Sequence, residues 1–305
     1  MTKSTNDSAA KMRSQFLKQT GIQVPILAGA MYPCSNPELV AAVSEAGGIG
    51  ILQPISLIFV YKNDFRDGIR KIRSITSKPI GMNVLTEQSS QTYIDRMKKW
   101  VDIALEEGVR YFVTSLGNPK WIVDVSRSVG GVVYHDVTDR KWAIKAVDAG
   151  VHGLICVNNR AGGHAGAHSP EKLIADLQDL NLPLICAGGV CSPKEYVDAL
   201  KMGYAGVQMG TRFIATEECR VHPDYKAAIL KAHERDIVLT DRISGVPVAV
   251  IRTPYIERVG TRAGLVASWM LRHPKLKHWM RAYYSLQSIW QLKKSSQRGS
   301  GYQEY

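Results

Sequence analysis

One local pattern recurs along this chain and restricts its fold more than any other feature. An amphipathic stretch closes on a small residue and glycine, and an apolar run comes within a few positions. It appears in residues 43–52, 104–113, 147–156 and 200–209. Each copy reads as a helix, a glycine that ends it in the left-handed conformation, and a buried strand. The apolar runs lack period-two alternation, so both faces of each strand are covered, as in a parallel sheet wrapped by helices.

Counting all such runs predicts eight strands, near 24–29, 48–52, 79–83, 110–114, 131–134, 153–157, 183–187 and 205–209. Eight strand–helix units in this span fit an α/β fold closed as a (β/α)8 TIM barrel. An open doubly wound sheet would want a G-x-G-x-x-G turn after its first strand, and Ala28-Gly29-Ala30-Met31 does not supply one. At 305 residues the chain accommodates one such barrel, roughly 250 residues, with an appendage. The expected organisation is a flexible N-terminal segment over 1–20, the barrel over 21–215, an α-helical cap and C-terminal extension over 216–295, and a disordered tail over 296–305. In the extension, His222-Pro223 opens a helical stretch and Thr253-Pro254 breaks the chain. Residues 262–292 then carry Leu265, Trp269, Trp279, Tyr283, Leu286 and Trp290 at helical spacing.

The net charge of +12 sits mostly in that extension: residues 252–305 hold ten Lys or Arg against two Glu. The remainder is nearly balanced and shows no nucleic-acid motif, so no nucleic-acid partner is expected. Three of the six tryptophans lie in the same region, which suits packing onto the barrel or onto a second subunit in a homodimer. The five cysteines, Cys34, Cys156, Cys186, Cys191 and Cys219, are odd in number and include no C-x-x-C pair. Neither a disulfide framework nor a zinc site is suggested, and a reducing, cytoplasmic setting is expected. No secretion signal or membrane span is predicted.

In a barrel of this kind the loops after the strands' C-terminal ends build the active site, and the last two units frequently bind phosphate. After the seventh predicted strand comes Ala187-Gly188-Gly189-Val190-Cys191-Ser192; after the eighth comes Gln208-Met209-Gly210-Thr211-Arg212. Glycines let backbone N–H groups approach an anion, and Thr211 adds a hydroxyl donor. The unit before them ends in Asn159-Arg160-Ala161-Gly162-Gly163-His164-Ala165-Gly166, a loop in which His164 is the candidate acid/base. His168 lies four positions on, but no third ligand is near and no metal is expected. His135, at the end of the fifth strand, is expected to face the same mouth. Asn83, ending the third strand in Gly81-Met82-Asn83, either hydrogen-bonds a planar heteroaromatic ring or closes the strand into a loop. Gly29, Ala30 and Met31 end the first strand with little bulk, as suits the close passage of a flat ring.

These motifs, in this order and spacing, resemble the FMN-dependent nitronate monooxygenases, formerly called 2-nitropropane dioxygenases. Relatives of that family include FMN-containing enoyl-acyl-carrier-protein reductases and NADH:quinone reductases. The resemblance spans roughly residues 21–235 and includes Ala46-Gly47-Gly48-Ile49-Gly50 and Pro79-Ile80-Gly81-Met82-Asn83 beside the loops above. It implies that Asn83, Gly162, Gly189 and Gln208 to Thr211 bind FMN, that Met31 and its neighbours line the isoalloxazine, and that His164 is catalytic. Gly163 and Gly188 adjoin these positions and join the expected cofactor set. Two positions depart from the pattern: Arg160 stands where relatives commonly carry an acid, and Val157 where they carry glutamine. A fixed cation at Arg160 favours an anionic group nearby if its side chain points inward.

The implied activity is oxidation of alkyl nitronates or nitroalkanes by O2 to carbonyl compounds and nitrite, with a small molecule and O2 as the partners. The alternative is NAD(P)H-dependent reduction of an enoyl thioester or a quinone, with His164 supplying a proton. A barrel retained purely for binding or assembly is a third possibility, distinguished by the lack of flavin colour.

Overall fold

The apolar runs become short strands: β1 Ile26–Ala28, β2 Ile49–Leu52, β3 Ile80–Leu85, β4 Tyr111–Ser115, β5 Val132–Val137, β6 Gly153–Val157, β7 Gly163–His164, β8 Leu184–Ala187, β9 Gly206–Met209, β10 Ile237–Thr240 and β11 Val248–Ile251. They come from a computed structural model that describes residues 3–87, 91–242 and 247–264, with residues 267, 269, 270, 273, 276 and 280. Eight of them, in the order β1-β2-β3-β4-β5-β6-β8-β9, close into a barrel. Every pairing is parallel, and β1 meets β9 with Ala28 opposite Met209. The predicted (β/α)8 barrel is the observed fold. Gly47, Gly108, Gly150 and Gly203 each take a positive φ between helix and strand, as the recurring pattern requires.

Alternation along each strand sorts its residues between two apolar layers. Leu52, Met82, Phe112, Val133, Leu154 and Val207 pack outward with Ile69, Ile72, Val101 and Leu173 of the surrounding helices. Leu27, Ile51, Tyr111, Val113, Tyr134, Ile155 and Ile185 fill the barrel interior. On β5 this parity turns residues 132, 134 and 136 inward, and residues 133, 135 and 137 toward the helices.

The segment 1–20, expected to be flexible, instead carries a helix over Lys3–Thr20. Its polar composition hides one decisive residue, Phe16, which is fully buried in the interior layer. The Phe16 ring lies 5.6 Å from Tyr134, whose hydroxyl donates to Gln19 Oε1 at 2.8 Å. The barrel makes room with glycine. A Cβ on Gly153 would come within 2.1 Å of the Tyr134 ring, and one on Gly206 within 2.9 Å of Phe16. Both glycines begin their strands, so the aromatic plug sits at the end where the strands start.

A second unit gathers residues 161–165 with residues 221–305. His222 caps the helix Pro223–Lys231, its Nδ1 accepting from the Asp224 N–H at 3.3 Å. The purely helical extension expected here needs correction. β10 and β11 pair antiparallel, and β11 pairs antiparallel with β7, giving a three-stranded sheet. The runs Ile237-Val238-Leu239 and Val248-Ala249-Val250-Ile251 are rich in β-branched residues and favour strands. Trp269 is exposed. Leu265, Trp279, Tyr283, Leu286, Trp290 and the tail 296–305 lie outside the described residues. No helix among the described residues is long and apolar enough to cross a membrane.

Candidate active site

The C-terminal ends of the barrel strands bring one set of predicted residues together. The Gly29 N–H donates to Met209 O at 2.9 Å, joining the ends of β1 and β9. A Cβ on Gly29 would stand 3.1 Å from Gln208 Cδ, so the glutamine side chain lies against the glycine. Ala30 packs onto the interior layer, and a Cβ on Gly210 would lie 3.4 Å from Met31 Sδ. Thr211 comes next, as the first residue of the short helix Thr211–Ile214. Gln208 Oε1 is buried and accepts no hydrogen bond. Asn83 is also buried, and its Nδ2 reaches only Val113 O at 3.5 Å. Because β3 runs on to Leu85, Asn83 sits inside the strand and does not close it into a loop. Two amides with unused hydrogen-bonding capacity therefore line one interior surface, an arrangement that natively calls for a ligand or water.

The interior surface also holds a residue the sequence reading passed over. Asp136 occupies the inward position on β5, and its Oδ1 is buried with no hydrogen-bond partner. Burial pushes its carboxyl up to about 7. Tyr111 Oη is likewise buried and unpartnered, and its phenol is raised by burial first and then by the neighbouring Tyr134 and Asp136. His135, expected at the mouth, faces the other way. It is buried on the helix side with Nδ1 2.8 Å from Thr114 Oγ1, and burial lowers it to about 4, so it is a neutral packing residue. The correction is one of parity. Tyr134, packed in the interior with Phe16 and Tyr111, sets Asp136 inward and His135 outward.

The loop after β8 forms a second cluster. Gly188 and Gly189 take φ values of 117° and 72°. Asn158, fully buried at the end of β6, donates from Nδ2 to Gly188 O at 2.9 Å and accepts the Arg160 N–H on Oδ1 at 2.8 Å. It thus locks two loops together. The Arg160 side chain lies across Gly189: a Cβ there would meet Nε at 2.8 Å and Cδ at 3.0 Å. Glu195 accepts from the N–H groups of Cys191 at 2.9 Å and Ser192 at 2.8 Å, and completes a capping box on the helix Pro193–Met202. Hydrogen bonds from the Cys191 side chain and backbone hold its carboxyl down at about 2. Neither Asn158 nor Glu195 stands among the residues predicted for the site. An Asn two residues before a turn, and an S-x-x-E box, were the available signals.

Gly162, Gly163 and His164 belong to the second unit. The expected open loop is partly a strand, with Gly163 opposite Ala249 and His164 opposite Val248. β11 would otherwise present an unpaired edge, and β7 covers it. His164 is exposed, yet surrounding protein desolvates the ring enough to lower its pKa below the ordinary 6.5.

Comparison with known proteins gives this geometry its context. The chain is 28% identical over 261 residues to a (3aS,4S,5R,7aS)-5-hydroxy-7a-methyl-1-oxo-octahydro-1H-indene-4-carboxyl-CoA dehydrogenase of Rhodococcus jostii, covering 84% of this chain and 71% of that one. It is 26% identical to a probable nitronate monooxygenase of Staphylococcus haemolyticus, covering 85% and 84%. Among solved structures, FabK from Thermotoga maritima is similar with a TM-score of 0.72 and 31% identity, covering 93% of this chain and 83% of that one. The family model described as nitronate monooxygenase matches residues 13–289, from the plugging helix through the barrel and into the C-terminal unit. The chain is an oxidoreductase and belongs to the nitronate monooxygenase family.

Proposed function

We propose that the chain is an FMN-dependent oxidoreductase that oxidises alkyl nitronates, or the nitroalkanes they derive from, with O2 to carbonyl compounds and nitrite. The observation that carries the cofactor reading is the buried, unpartnered Oε1 of Gln208, beside Gly29 and on the same interior surface as the Asn83 amide. A flavin ring edge alternates donors and acceptors and answers both amides. Gly29, Ala30 and Met31 would line the ring. The backbone at Gly188, Gly189, Gly210 and Thr211, with the Thr211 hydroxyl, would hold the phosphate, and Gly162 and Gly163 would border the cofactor. FMN, when bound, supplies the electron acceptor that no side chain offers.

The chain's own residues manage placement and protons. His164, neutral at physiological pH because desolvation lowers its pKa, orients the substrate or takes the α-proton of a nitroalkane at a ring nitrogen. Asp136, held neutral up to about pH 7, donates a hydrogen bond from its carboxyl into the barrel mouth.

A second reading is NAD(P)H-dependent turnover of a thioester or a quinone. Relatives at 28% and 29% identity whose names carry a carboxyl-CoA group favour it. Two assays on one preparation separate the readings. Nitrite release from an aerated nitroalkane, with no loss of flavin colour on anaerobic mixing with NADH, is the expected result. Rapid anaerobic bleaching by NADH without nitrite release assigns the reductase.

A further inference from the structure

We infer that Arg160 is a phosphate clamp, and that its guanidinium makes this chain select the phosphorylated flavin over the unphosphorylated one. The inference rests on the FMN reading above and adds a specific residue to it. Three observations within the barrel unit lead to it.

First, two N–H groups that lead into the helix after β8 are taken. Cys191 and Ser192 both donate to Glu195 Oε2, and Cys191 Sγ lies 3.0 Å from the same oxygen. A dianionic phosphate held by the glycine backbone of this loop therefore has a fixed carboxylate beside it, in place of the Cys191 and Ser192 donors. Second, a cation stands beside that carboxylate. Arg160 Nη2 is 4.0 Å from Glu195 Oε1, and its side chain is 44% exposed. Third, the placement is built. Buried Asn158 fixes the Arg160 N–H and the Gly188 carbonyl at once, and the arginine stem lies over Gly189, where any side chain would collide with it. Arginine's planar fork matches phosphate oxygens bidentately, so it offsets the Glu195 charge and stands in for the two donors that Glu195 occupies.

The test is a titration of the full-length chain, stripped of flavin, with FMN and with riboflavin, monitored by flavin fluorescence. The wild type is expected to bind FMN far more tightly than riboflavin. Arg160→Gln is expected to lower FMN affinity roughly 10- to 100-fold, the value of hydrogen bonds to a charged group, and to leave riboflavin affinity unchanged. Unchanged riboflavin binding also shows that the variant is folded. Because the guanidinium is partly exposed, the wild-type preference is expected to shrink as salt rises, a readout that needs no variant. An FMN preference that survives Arg160→Gln, or one indifferent to salt, overturns the clamp and leaves the FMN reading standing. Failure of the wild type to bind either flavin overturns the FMN reading and the clamp with it.

Discussion

Replacing His164 with alanine is expected to leave FMN bound and to lower nitroalkane turnover about 10²- to 10⁴-fold, the usual contribution of a positioned acid or base. Retention of the cofactor is expected from where the residues lie. Most of the proposed cofactor groups, Gly29, Asn83, Gln208 and Gly188–Gly189, belong to the barrel unit, whereas His164, with Gly162 and Gly163, belongs to the second unit, where the substitution leaves both glycines unchanged. The backbone pairing of His164 with Val248 survives the substitution, so β7 is expected to persist. The pH profile separates a catalytic loss from a structural one. A base works in its neutral form, and desolvation lowers the His164 pKa below 6.5. Wild-type kcat/KM is therefore expected to fall as pH drops through that lowered value, and His164→Ala removes this acid limb. Full turnover in His164→Ala removes His164 from the mechanism.

Asp136→Asn carries the second large effect, and it acts on the opposite limb. The wild-type carboxyl titrates at about 7, so its donor is present below that pH and lost above it. Wild-type kcat/KM is expected to decline as pH rises through 7. The amide of the variant donates at every pH and flattens that limb. Stability gives an independent readout with the same sign. Burial raises the folded carboxyl from 3.8 to about 7, so between those values the folded chain keeps a proton that the unfolded chain has released. Wild-type stability attributable to this group is therefore full below pH 3.8, falls across that window, and levels off above 7. The loss is at most roughly 4 kcal/mol and is trimmed by the partial exposure of the residue. Asp136→Asn is expected to gain in denaturant midpoint over the wild type as pH is raised from 5 to 8. Equal wild-type and variant midpoint shifts between pH 5 and 8 contradict a buried, protonated carboxyl.

The barrel was readable because its signal is local and repeated: a glycine that ends a helix, then an apolar run, recurs along the chain. What escaped depends on partners far away in sequence. Phe16 lies in a polar segment, and its importance emerges only from the small residues Gly153 and Gly206 that open space for aromatic rings. The choice between His135 and Asp136 turned on strand parity, which a run of five or six residues leaves open until Tyr134 is known to point inward. Strands β10 and β11 were obscured by the helical spacing of aromatic residues after them, although their own β-branched runs favour extended chain. In the site, Asn83, Gln208 and the glycine loops were legible as types of residue at strand ends. The Glu195 cap on Cys191 and Ser192 is local and its S-x-x-E spacing was there to be read, whereas the arginine lying over Gly189 was not legible, because it joins segments whose separation only the closed barrel removes.

In the proposed function the interior amides of Asn83 and Gln208 and the glycine loops of β8 and β9 hold FMN. The most direct measurement is the visible absorption spectrum of the purified full-length chain, with chromatographic identification of whatever small molecule heat denaturation releases. A yellow protein with the two-banded flavin spectrum and release of FMN is the expected result. A colourless protein that gains no flavin spectrum after incubation with FMN and removal of the excess contradicts it.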